Sequence, residues 1–286
     1  RNQRTAFDAN KLRARRFGDQ HRQWLWCGVW RDPDTQYDFK EHEMRRQSIV
    51  LRTPSGISGD MLLTGLAQLA GVSNAELSAL VDSIGVDALH DCVTVEPHHV
   101  NWITGFQARI TLPHEHHHRT PKMIYDIIER SGLTDAAKSL ATKAFAILAE
   151  AEATVHGCSV DEVHFHEVGA LDSILDTCVA AALFTKIAPA EFHCSPLPMC
   201  DGIIRCEHGL LASPPPAVQE MLNGVPVYGA DASGETVTPT ALAFLKAAGA
   251  RFGKWPQCEV VTSARAYGGK VFENLPNGAN FFLVTM

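Results

Sequence analysis

The sequence holds no Cys-x-x-Cys pair among its eight cysteines (27, 92, 158, 178, 194, 200, 206 and 258), which excludes a zinc knuckle and a thioredoxin-type redox motif. Free thiols in a reducing compartment are expected instead. Cys194, Cys200 and Cys206 recur at intervals of six, but Pro196 and Pro198 interrupt any regular strand between the first two, so the interval reads as accidental and the cysteines as buried structural residues. No run approaches the roughly eighteen apolar residues of a spanning helix, and no charged-then-apolar leader opens the chain. A cytoplasmic protein without membrane attachment is the expectation. The His-Glu-x-x-His signature of zinc peptidases is missing. There is no internal repeat, and the only low-complexity tract is a short run of histidines.

What is present is a chain of 286 residues with 45% apolar content, enough to bury a substantial core in one large or two modest domains. Net charge is −7, unevenly spread: residues 1–47 hold eleven Lys/Arg against seven Asp/Glu. That segment carries Trp24, Trp26 and Trp30, lacks a sustained apolar period, and reads as a poorly ordered, solvated arm. Its interspersed acids and missing motif speak against a nucleic-acid partner.

From residue 48 the pattern is that of a mixed α/β domain. Ser48–Leu51 forms a short strand that runs through Pro54-Ser55-Gly56-Ile57-Ser58-Gly59-Asp60 into a helix whose apolar residues begin at Met61. Ser73-Asn74-Ala75-Glu76 is a capping box for a second helix that ends at Gly85. Residues 92–112 alternate as two strands, and the histidine run follows Pro113. Thr120-Pro121 starts a helix through Ile128, residues 134–156 form the longest helix, and Gly157 stops it. The segment 170–187 is strongly apolar and therefore central. Residues 190–286 read as short strands with turns, plus helices near 215–223 and 239–248.

The densest chemistry lies in His164-Phe165-His166-Glu167-Val168-Gly169-Ala170-Leu171-Asp172. His164 and His166 share a face if the segment is extended, since side chains two apart point the same way in β geometry. Asp172 and Asp176 share one face of the following helix, and Glu152 and His156 one face of the preceding one. The three segments offer up to six ligands, and imidazole with carboxylate suits nickel or zinc. The plainer alternative is that Asp172 and Glu167 only favour a helix start. His114, His116, His117 and His118 form a second group, either a metal-capture loop or an inert linker.

Two helix starts suit an anion. Ser55, Gly56, Ser58, Gly59 and Asp60 precede one helix, and Thr238-Pro239-Thr240 opens another, with proline as first helical residue after a threonine cap. Ordinary capping explains either alone. Between them, Arg205-Cys206-Glu207-His208-Gly209 is either a ligand-facing loop, with His208 a metal contact, or a simple turn.

The motifs Ser-Gly-Ile-Ser-Gly-Asp-Met (55–61), the histidine run, Ala-Glu-Ala-x-x-His-Gly (151–157), His-Phe-His-Glu-Val-Gly-Ala-Leu-Asp-Ser-Ile (164–174), Ser-Pro-Leu-Pro (195–198), Cys-x-His-Gly (206–209) and Val-Thr-Pro-Thr (237–240) occur in this order. Together they resemble the nickel insertion proteins of the lactate racemase maturation system, over about residues 48–286. The resemblance implies a cytoplasmic chelatase of lyase type that places nickel in pyridinium-3,5-bisthiocarboxylic acid mononucleotide, with CTP consumed and manganese or magnesium assisting. It departs from the family pattern at Arg52-Thr53-Pro54, where an acid and a cysteine usually stand. The family's C-terminal domain, linked to nucleotide binding, does not follow Met286, so a separate nucleotide-binding protein is an expected partner, and a homo-oligomer is left open.

On this reading His164, His166, Glu167 and Asp172 touch metal and carry catalysis, while Ser55, Gly56, Ser58, Gly59, Asp60, Thr238 and Thr240 seat the substrate. Two other readings stand beside it. One is a nickel carrier without chemistry, and the other a metal-dependent hydrolase with Glu167 as base on a metal-bound water.

Overall fold

The computed structural model describes residues 47–113, 119–165 and 168–286. The arm expected over 1–47 falls outside these residues except for Gln47, which already belongs to the first strand.

The expected mixed α/β fold is what forms, around a seven-stranded sheet. In chain order the strands are β1 (Gln47–Arg52), β2 (Val93–Val100), β3 (Ile103–Ile110), β4 (Phe192–Cys194), β5 (Leu197–Asp201), β6 (Ile203–Cys206), β7 (Gly209–Ala212), β8 (Val227–Ser233), β9 (Arg251–Phe252), β10 (Glu259–Tyr267) and β11 (Ala279–Thr285). The helices are α1 (Gly59–Ala70), α2 (Asn74–Asp82), α3 (Pro121–Arg130), α4 (Asp135–His156), α5 (Leu171–Ile187), α6 (Pro216–Met221) and α7 (Pro239–Ala247).

The large sheet runs β2-β3-β10-β11-β1-β4-β9. β1 lies antiparallel to β11 and parallel to β4, and four successive residues, Ser48 to Leu51, are each at most 1% exposed. A strand buried on both faces reads as a continuous apolar run, which is how Ile49-Val50-Leu51 reads. β2 and β3 pair in the hairpin that the alternation announced. β5–β8 and β6–β7 form two small separate sheets.

Helix ends follow their local chemistry. Ser73 and Glu76 close the capping box of α2, and Thr120, Thr134 and Thr238 each accept a bond from the third backbone N–H of their helix. Gly157 adopts the left-handed conformation that ends α4. Helix α5 is buried along most of its length, including Ile174, Leu175, Cys178, Val179 and Leu183, and packs on α1, α4 and α7. It is the central helix that its composition announced. Fully buried Phe145, Phe165, Phe244 and Phe281 anchor this layer, each worth about 2–3 kcal/mol of transfer free energy.

Candidate functional site

Three helix starts meet at one place. Strand β1 leads into α1 through Thr53–Ser58, and Ile57 forms a parallel bridge with Val237 just before α7. Ile57 N–H donates to Thr236 O at 2.9 Å and Thr238 N–H donates to Ile57 O at 3.1 Å. Gly56 carries φ +104, and any side chain there would collide with the carbonyl of Thr236, so the close approach requires glycine. The first turn of α5 is the third partner. A Cβ on Gly59 would strike the Asp176 carboxylate, and Ser173 Oγ lies 3.4 Å from Thr240 Oγ1.

Two of these three helices begin without a side-chain cap on their N-cap residues, Ser58 and Ala170. A first-turn aspartate does part of that work in each. Asp60 accepts from Met61 N–H at 2.9 Å and from the Ser58 hydroxyl, and Asp172 accepts from Ser173 N–H at 2.7 Å. The helix-start role weighed for Asp172 is thus in place.

The junction is electrostatically costly. Burial raises the Asp60 carboxyl above the usual carboxylate range, against the lowering pull of its Ser58 and Met61 bonds, and Asp172 adds a smaller push. Burial raises Asp176 much further, with the charges of Asp60 and Asp172 adding to it. Asp176 Oδ1 is buried and has no hydrogen-bond partner.

Above this junction opens a cleft of about 410 Å³, within the size range of small-molecule sites. Ser55, Ser58, Asp60 and Thr238 line it, joined by Arg205, Glu235, Gly268, Gly269 and Lys270. Of the residues expected to seat the substrate, Gly56, Gly59 and Thr240 do not line it; they hold the three helix starts together. A second cleft of about 470 Å³, past the Thr53-Pro54 turn, is walled by Arg52, Tyr228, Trp255 and Phe282. Arg52 is its one charged group, whereas the first cleft carries charge of both signs.

His164 is exposed between buried Val163 and Phe165. Phe165 N–H donates to Arg119 O at 3.0 Å in an isolated antiparallel bridge, so the backbone is extended here. His166 and Glu167 lie outside the described residues, as do His114, His116, His117 and His118, so the shared face of His164 and His166 is not described. Glu152 and His156 do share a helix face, with Oε2 and Nε2 3.4 Å apart. The His156 ring stands 5.2 Å from that of His208, which sits in the two-residue turn between β6 and β7, closed by the pairing of Cys206 with Gly209. Arg205–Gly209 is therefore a hairpin turn whose imidazole faces another imidazole.

Among the described residues no three His, Cys, Asp or Glu side chains converge closely enough to hold a metal ion. The centre drawn through Glu152, His156, His164, Asp172 and Asp176 does not form from those five alone. The reason is geometric: Asp176 turns towards α1, while Glu152 and His156 turn to each other and to the β6–β7 turn. Buried Cys178 and Cys194 have thiols pushed up to about 12 by burial, as expected of buried structural cysteines.

Sequence reasoning missed Lys270 and did not pair His156 with His208. Gly268-Gly269 signalled a turn, but nothing in the local sequence tied that turn to a loop two hundred residues earlier.

No solved structure matches the chain. A curated relative from Nocardioides sp., named pyridinium-3,5-bisthiocarboxylic acid mononucleotide nickel insertion protein, is 38% identical over 231 residues, covering 80% of this chain and 58% of the relative. One from Staphylococcus epidermidis with the same name is 34% identical over 233 residues, covering 81% and 58%. The chain thus spans somewhat more than half the length of these relatives. The family profile described as nickel insertion protein matches residues 49–285, and the chain belongs to that family.

Proposed function

We propose that this chain takes part in inserting nickel into pyridinium-3,5-bisthiocarboxylic acid mononucleotide, with nickel handled as a substrate. The observation that carries the reading is the cleft over the three helix starts, where two cations and two carboxylates face one small space. The substrate is itself of mixed charge, a cationic ring bearing anionic thiocarboxylates and a phosphate. Complementary signs within one cleft suit such a molecule.

In this reading His164, His166 and Glu167 hold nickel, with Asp172 as a further ligand or as the group that orients one. Imidazole and carboxylate release the ion more readily than a thiolate cage does, and insertion requires release to sulfur and carbon. His114, His116, His117 and His118 serve capture, and His208 extends the histidine surface from His156. Ser55, Ser58, Asp60 and Thr238 wall the substrate. For manganese or magnesium acting with CTP, no cluster of three His, Cys, Asp or Glu side chains that could hold an ion is present among the described residues. A cytoplasmic setting and a separate nucleotide-binding partner belong to the same proposal; among the described residues no helix is long and apolar enough to cross a membrane.

The test is a single-turnover reaction of the purified chain with nickel, CTP and the thiocarboxylate substrate, followed by mass spectrometry of the small molecule. A nickel-bearing product supports insertion. Tight nickel binding with no transfer, even after a nucleotide-binding partner is added, would replace this reading with that of a carrier.

A further inference from the structure

The cleft's two cations, Arg205 and Lys270, are both exposed, and the Lys270 ammonium has two fixed neighbours. It donates to Ser233 O at 2.8 Å and lies 4.7 Å from the centre of the Phe272 ring. The ammonium lies against Gly234, which has φ +99 and leaves room for it. The preceding glycines are tied down as well, since Gln107 Nε2 donates to Gly268 O at 2.9 Å. Arg205 enters the same cleft from a different element, the β6–β7 hairpin, where it pairs with Leu210. Neither cation is among the residues proposed to hold nickel; both belong to the cleft proposed for the substrate.

Both stand in one cleft with hydroxyls of Ser55 and Thr238. The carboxylates there are Asp60 and Glu235. A pre-placed ammonium, a forked guanidinium, hydroxyls and side-chain-free backbone are the donor set of a phosphate site, where lysine acts as a point charge and arginine as a bidentate fork. We infer that Lys270 and Arg205 bind the phosphomonoester of a pyridinium mononucleotide in this cleft, leaving the cationic ring towards Asp60. The inference rests on the proposed substrate for its ring, and on the cleft alone for its phosphate.

The test uses the full chain without nickel, and calorimetry with four probes: nicotinate mononucleotide, nicotinate riboside, inorganic phosphate and CTP. The mononucleotide should bind at least tenfold more tightly than the riboside. Lys270→Met and Arg205→Met, on separate elements, should each erase most of that difference, with melting temperatures unchanged and with Lys270→Arg restoring part of it. Inorganic phosphate should weaken in parallel. Equal binding of mononucleotide and riboside overturns the inference, as does a loss confined to CTP. If the phosphate discrimination holds while no nickel is inserted, the phosphate site stands and the insertion reading falls. If Lys270→Met with Arg205→Met inserts nickel at the wild-type rate under limiting substrate, the insertion reading stands and the phosphate site falls.

Discussion

Two polar clusters flank the cleft region's helices, and they are built on opposite principles. Asp60, Asp172 and Asp176 sit where three helix starts are locked together, two of them raised by burial and one with an oxygen that has no partner. Glu152, His156 and His208 lie at the far end of α4 and on a hairpin turn, with His208 exposed. In the first cluster burial and like charges work against ionisation of Asp60 and Asp176. The second lies nearer the surface, with His208 exposed and the Glu152–His156 pair partly so. The lesson is that like residue types serve different ends according to how tightly the backbone around them is packed.

The largest expected effect attacks the tightly packed side. Gly59→Val drives a side chain into the Asp176 carboxylate and should cost about 3 kcal/mol of stability, read from urea unfolding. A near-neutral result would mean that the α1–α5 contact is looser than described, and the contrast with the histidine end would dissolve. Next comes the exposed side. Replacing His164 and His166 together by alanine should weaken nickel binding at least tenfold, about 1.4 kcal/mol, with unfolding free energy barely moved. Unchanged calorimetric affinity removes these histidines from the nickel site.

A pH experiment sharpens the comparison. The folded-state carboxyl of Asp176 is raised, so the folded state holds its proton more tightly than the unfolded chain does. The sign follows: its contribution favours folding below about pH 4, the unfolded aspartate range, and is lost as pH rises through the higher folded value. Asp176→Asn should therefore gain stability over wild type progressively as pH climbs above about 4, measured in chelator so that bound metal does not intervene. Because Asp60 and Asp172 face the same carboxyl, the difference between the two proteins is the readout. A constant difference across pH shows that Asp176 is not held in this way.

Much of the local structure was legible because its causes are local. Ser73-Asn74-Ala75-Glu76, Thr120-Pro121 and Thr238-Pro239 each carry their own cap, Gly157 its own stop, and the alternation from Val93 to Ile110 its own hairpin. The site was legible only as fragments. The Ile57–Val237 bridge joins residues that share no sequence signal, and Asp176 reads as sharing a face with Asp172, with nothing to place Gly59 against it. The pairing of Glu152 with His156 followed from helical spacing, but its distance from Asp172 did not, since spacing fixes a face and says nothing of which neighbour that face meets. Lys270 was invisible because its place depends on Gly234, Phe272 and the β10 edge together.

The smallest effect expected is also the cleanest check on the surface character of the second cluster. His156→Gln removes an imidazole paired with Glu152 and stacked near His208, at a site where the histidine side chain is 29% exposed and the carboxylate 13%. Pairs of this kind are worth under about 1 kcal/mol because water competes for both partners. Thermal unfolding should shift by no more than that. A loss of about 2 kcal/mol or more would show that this end holds the fold together no less than the aspartate junction does, and the contrast between the two clusters would vanish.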